Sequence, residues 1–174
     1  MLKVLEQRQS TREFAPDKLP PQTLSNLLWA AWGINRSDGR RTAPSSSNKQ
    51  EISIYVVTAE AVYQHNAATN TLEPVAAGDL RKTTGGQPFV AEAPLNLVYV
   101  ADLSKMANAD DNAKYATANA DTGFIAQNVY LFCASEGLGT VVRGSVNRPE
   151  LVKALNLRPE QRITLAQTVG YPKK

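Results

Sequence analysis

The chain is 174 residues long, 43% hydrophobic and 20% charged, with a formal net charge of +3. This suits a single domain over residues 1–174 with a substantial core, and no apolar run approaches the roughly 20 residues that cross a bilayer. One cysteine, Cys133, and one histidine, His65, exclude an internal disulfide and a cysteine- or histidine-rich metal site. The basic residues gather only in small clusters, at Arg8/Arg12, Arg40/Arg41 and Lys173/Lys174, so neither nucleic acid nor membrane is expected as a partner.

Met1 to Phe14 lack the apolar core of a secretion signal. A cytoplasmic location is the default expectation, with export open if a leader once preceded the first residue. Leu2 to Arg8 reads as a short helix, with a turn over Ser10–Phe14. Pro20 and Pro21 open a second helix, whose Leu24, Leu27, Leu28, Ala31 and Trp32 recur at helical spacing up to Gly33. Trp29 and Trp32 read as packing residues of that helix. Asn35 to Gln50 is polar and reads as a long loop, a kind that is usually functional or mobile. Ile52–Thr58 is a buried strand. Val62–His65 and Thr71–Val75 read as a small hairpin, with His65 an exposed turn residue. Ala77 to Ala93 reads as helical pieces broken at Gly85–Gly86, and Leu95–Ala101 as a second confident strand. The longest helix runs from about Ala113 to Glu136, with Ala118, Ile125, Val129, Phe132 and Cys133 on one face and Gly137 at its end. Cys133 there is a small core residue. Tyr115, near the start of that helix, is a candidate to line a pocket. Thr140–Arg143 is a short strand, Arg148–Leu155 a helix, and Ile163–Val169 a final strand. The sum is an α+β fold, helices packed on a sheet.

Gly137-Leu-Gly139-Thr-Val-Val-Arg-Gly144 is not a dinucleotide fingerprint, because its glycines follow a helix and lead into a strand. No phosphate-binding G-K-[ST] loop occurs either. Arg8-Gln-Ser10-Thr-Arg12-Glu-Phe14 places two guanidiniums and a hydroxyl at a helix end. That is either a phosphate clamp or a pair of solvated arginines. Pro44-Ser45-Ser46-Ser-Asn48-Lys-Gln50 precedes a strand and is either a surface for a flat polar ring, whose mixed edge suits amides, or a plain polar turn.

Taken together, the two segments resemble the R-x-S-x-R-x-F opening and the P-S-S/A-x-N-x-Q segment of nitroreductase-family flavoproteins. Ala93-Pro94 before a strand, the helix ending in Glu136-Gly-Leu-Gly-Thr140 and the closing Gly170-Tyr-Pro172 follow in the same order. Within that family, Asp38 to Pro44 and the short chain are most similar to the azoline-dehydrogenase (SagB-type) branch.

The resemblance implies a nitroreductase-like fold, with a central, mostly antiparallel sheet flanked by helices in an intertwined homodimer. It implies FMN as cofactor. Arg8, Ser10 and Arg12 would hold its phosphate, with Gln9 near the ribityl chain and Lys173 or Lys174 balancing charge. Pro44, Ser45, Ser46 and Asn48 would reach the ring from the other subunit, and the helix from Asp121 to Phe132 would supply much of the dimer interface. Gln87 would contact the pyrimidine, and the backbone of Gly144 and Ser145 would face N5 and O4. No side chain is expected to act as nucleophile. The implied activity is transfer of two electrons from NAD(P)H to nitroaromatic, quinone or similar acceptors by a ping-pong route. The alternatives are oxidation of azoline rings, for which no lysine/tyrosine base pair is identifiable, and flavin binding without turnover. An open site with a broad acceptor range is the further expectation.

Overall fold

The computed structural model describes residues 1–106 and 110–173; Lys174, one of the two expected C-terminal cations, lies outside them. The strands are β1 (Ile52–Thr58), β2 (Ala61–Asn66), β3 (Thr71–Ala77), β4 (Leu95–Asp102), β5 (Gly139–Arg143) and β6 (Gln161–Gly170). The helices are α1 (Leu2–Gln7), α2 (Pro21–Trp32), α3 (Phe89–Glu92), α4 (Asp111–Ser135) and α5 (Arg148–Ala154). The sheet runs β3-β2-β1-β4-β6-β5, and every neighbouring pair is antiparallel. The expected α+β class and antiparallel sheet are therefore observed.

Chemistry on both faces explains the continuous apolar runs of the central strands. On β4, Leu97, Tyr99 and Ala101 pack with Leu27, Leu28, Ile125 and Val129 from α2 and α4. Val98 and Val100 pack on the opposite face with Leu151 and Leu155 of α5 and its end. Such two-sided burial replaces the usual polar alternation of an antiparallel strand. β3 and β5 form the two edges of the sheet.

α4 begins two residues earlier than the apolar pattern suggests, because the Asp110 carboxylate accepts from the N–H groups of Asn112 (2.9 Å) and Ala113 (3.0 Å). Its buried face includes Asp121 and Thr122 beside Ala118, Ile125 and Val129, so it is not wholly apolar. The Asn35–Gln50 stretch is more ordered than a loop reading implies. Ile34 bridges Arg41, and the Arg41 guanidinium lies 4.8 Å from the Trp32 ring. Arg41 also donates to Gln50 Oε1 (2.8 Å) and to the Trp32 carbonyl (2.9 Å).

Two side-chain expectations are corrected. His65 is buried, not exposed, because it sits within β2 facing inward and its Nε2 pairs with Asn70 Oδ1 at 2.9 Å; burial holds its pKa below the usual imidazole value. Trp29 is 47% exposed while Trp32 is 2% exposed. Three helical residues leave the two rings about 60° apart around the axis, enough to carry Trp29 off the buried stripe.

Candidate active site

The site is built along the outer rim of β5. Paired only with β6, this strand turns alternate backbone groups outward. The Thr140 carbonyl accepts from Thr11 N–H at 2.9 Å, and Val142 N–H donates to the Tyr130 hydroxyl at 3.0 Å. By the period of two, the next residue to face outward is Gly144, which is exposed together with Ser145.

The Arg8–Arg12 segment is fastened at the near end of this rim. Gly139 permits the approach, since a Cβ there would come within 2.8 Å of the Thr11 methyl. Ser10 Oγ lies 2.9 Å from the Tyr130 hydroxyl, and the Arg8 guanidinium sits 5.2 Å from the Tyr130 ring. Because Tyr130 already accepts from Val142, it can donate to Ser10 and leave the Ser10 hydrogen free to point outward. Arg12 and Gln9 are exposed, and Gln9 lines a cavity of about 250 Å³ with Thr11, Tyr130 and Thr140. Lys173 N–H donates to the Glu13 carbonyl (3.1 Å), which brings Lys173 beside the same segment.

At the far end of β5, Arg143 points into the sheet's other face and is 6% exposed. Its guanidinium donates to the Thr84 carbonyl (2.5 Å), Asn96 Oδ1 (3.0 Å) and Thr168 Oγ1 (3.0 Å), all neutral groups. Nε has no partner, and burial pulls the group down to about 10. Arg143 and the Asn147 N–H to Thr83 carbonyl bond (3.1 Å) fix the 83–87 turn against the Gly144–Ser145 end. Gln87 Oε1 there is buried without a partner. The turn that carries Gln87 is thus held at the end of β5 that leads into Gly144 and Ser145. From Thr140 to Gly144 the rim spans about 13 Å, with cations at one end and unpaired amide chemistry at the other.

Pro44–Asn48 lies elsewhere. The Ser46 N–H donates to Asp121 Oδ2 at 2.8 Å, and Ser45 Oγ accepts from Gln50 N–H at 3.0 Å. Ser47, Asn48 and Gln50 all hold positive φ, at 49°, 54° and 49°, a backbone that Asn tolerates but that is unfavourable for Ser47 and Gln50. Asp121 and Tyr130 are nine positions apart on α4, about 14 Å along its axis. Among the described residues, no hydrogen bond joins the 44–48 segment to the Arg8–Arg12 segment or to Gly144.

Sequence reasoning did not single out Tyr130, Asp121, Glu51 or Arg143. Glu51 is wholly buried beside Asp121; burial, aided by a hydrogen bond that its protonated form makes with Asp121, pushes it up to about 7. A charge at position 121, on the stripe between Ala118 and Ile125, was the one signal available. Cys133 is a core residue as expected, 1% exposed, with burial pushing its thiol up to about 12, which suits no nucleophile. Tyr115 does line a cavity, its hydroxyl donating to the Ile163 carbonyl at 3.0 Å. Among the described residues, no three His, Cys, Asp or Glu side chains could hold a metal ion, and no helix is long and apolar enough to cross a membrane.

An antiparallel sheet backed by one long helix is the fold this chain shares with solved nitroreductase structures. The chain belongs to the Nitroreductase family, which it matches over residues 5–171. A crystal structure of a "putative nitroreductase" from Ralstonia eutropha JMP134 is 42% identical, with TM-score 0.93 over 99% of this chain and 83% of that one. A chain of the E. coli microcin synthetase McbBCD complex shares the fold at 22% identity, with TM-score 0.83 over 96% of this chain and 70% of that one. A family structure from Desulfovibrio desulfuricans, solved in complex with FMN, is 22% identical, with TM-score 0.71 over 99% of this chain and 86% of that one.

Proposed function

We propose that this chain is an FMN-dependent oxidoreductase, active as a homodimer, that carries two electrons from NADH or NADPH to nitroaromatic, quinone or similar acceptors. The observation that carries this reading is the β5 rim, with its anchored cationic segment at one end and an outward backbone position at the other. The residues present fit the cofactor. The outward hydroxyl of Ser10 with Arg8, Arg12 and Lys173 suits a dianionic phosphate. The orphaned acceptor on Gln87 suits a ring N–H, and the Gly144 backbone can donate to a ring nitrogen without a side chain intervening.

When bound, FMN supplies a two-electron carrier that accepts hydride and later releases both electrons. The chain's task is to hold, orient and shield. Ser10 and the arginines would hold the phosphate, and the backbone of Gly144 with Ser145 would orient the ring edge. In the proposed dimer, Pro44, Ser45, Ser46 and Asn48 close over the ring of the partner subunit. Their distance from the Arg8–Arg12 segment within one chain supports that arrangement. For a nitro acceptor the balance is NAD(P)H plus one proton plus R–NO2 giving NAD(P)+, R–NO and water, with one N–O bond broken and the proton drawn from solvent.

An absorption spectrum of the purified protein, before and after anaerobic NADH or NADPH, tests this. Flavin bands that bleach support the reading. Bands that persist with NADH and NADPH but bleach with azoline substrates favour the dehydrogenase branch, and bands that nothing bleaches favour binding without turnover. Absence of flavin after FMN is added sinks all three.

A further inference from the structure

A second cavity, of about 660 Å³, opens where the start of α4, the helix α5 and the approach to β6 meet. Its floor is apolar. Leu103 and Ile163 are buried beneath it, with Val152 and Leu157 forming a wall. Its rim carries three guanidiniums, from Arg148, Arg158 and Arg162, against a single lining carboxylate, Asp111. That carboxylate is bridged to Lys114 at 3.8 Å.

The charge on the rim is poorly answered by the protein. Arg148 donates to three carbonyls, those of Ile163 (3.1 Å), Gly144 (3.2 Å) and Thr164 (2.8 Å). Arg162 also reaches only carbonyls, those of Pro159 and Gln161. Arg158 alone meets a carboxylate, Asp102, which does not line the cavity. Carbonyl dipoles orient a guanidinium but leave its net charge in place, and an apolar, partly enclosed wall strengthens that charge's reach. A flat apolar body bearing one anionic group satisfies both surfaces.

One side chain links the cavity to the proposed redox site. Arg148 lines it while donating to the carbonyl of Gly144, the residue offered to the flavin edge. We propose that this cavity receives the electron acceptor, and that the preferred acceptors are aromatic compounds carrying a carboxylate or similar anion. This rests on the flavin reading above and narrows the broad acceptor range expected from chain length.

The test compares 4-nitrobenzoate with the neutral, nearly isosteric 4-nitrobenzamide. The expected ratio of kcat/KM favours the benzoate at least tenfold, and Arg162→Gln lowers that ratio at least threefold. Arg158→Gln with Arg162→Gln lowers it further. Equilibrium dialysis of 4-nitrobenzoate against flavin-free protein is the second arm, and the same variants are expected to weaken that binding. An unchanged ratio in both variants overturns the proposal while leaving the flavin reading intact. So does a change confined to the NAD(P)H half-reaction, which would assign the arginines to the donor. Binding of nitrobenzoate by a protein that takes up no FMN leaves the cavity standing and sinks the flavin reading.

Discussion

Glu51 sits in the core beside Asp121, and its proton has thermodynamic consequences. Its pKa is about 7 in the fold against an ordinary 4.5, with burial the leading cause. A raised carboxylate favours the protonated fold. As pH climbs from about 4.5 to 7 the unfolded chain gives up this proton first, so stability falls over that window, by something on the order of 3 kcal/mol. Glu51→Gln removes the titration while keeping the shape. The variant's melting temperature should differ little from the parent's at pH 5 and exceed it clearly at pH 8; equal differences at both pH values would refute this. Gly85 is equally exacting, since a Cβ there would fall 1.9 Å from Arg143 Nη1. Gly85→Ala should cost about 1–3 kcal/mol by displacing the guanidinium from its three acceptors, measured by denaturant unfolding. Neither residue was legible in the sequence. A lone Glu before a strand and a Gly-Gly pair look like surface punctuation until the fold shows what lies above them.

At the scale of elements, α4 and β5 act as one unit joined by Tyr130, whose hydroxyl ties Ser10 to the Val142 amide. Tyr130→Phe should leave the fold intact, destabilise it by about 1 kcal/mol, and weaken FMN binding roughly fivefold to tenfold. Fluorescence titration of flavin measures the latter, and unaltered affinity would remove Tyr130 from the site. The helices and strands themselves were largely readable, because apolar periods of 3.6 and 2 record burial directly. The order of strands was not. Neither the short run of β5 nor the longer one of β6 marks its place in the sheet, and only the pairing reveals that β5 is the edge. The Arg-x-Ser-x-Arg segment could therefore be recognised as a motif while the strand receiving it could not be derived.

Across the whole molecule, Leu5 (48% exposed), Trp29 (47%) and Phe124 (50%) are large apolar side chains left in solvent on α1, α2 and α4. A hollow lined by Val4, Trp29 and Asn128 joins those three helices, and Phe124 lies one turn before Asn128 on α4. An apolar surface spread over three packed helices fits an interface better than solvent. The chain should sediment as a dimer, and Phe124→Glu should shift it toward monomer and lower flavin affinity in step, since each proposed site borrows Pro44–Asn48 from the other copy. Dissociation without loss of flavin would refute the shared site. The β5 rim has one more consequence, for the chain's own handling. Thr11 takes the Thr140 carbonyl, Tyr130 the Val142 N–H and Arg148 the Gly144 carbonyl, which breaks up the rim that another strand would need as a template. Trimming the first dozen residues would uncover Thr140 and loosen Tyr130 at once. The shortened protein would then present a bare β ribbon to its neighbours, and would be expected to clump in storage long before its core began to melt.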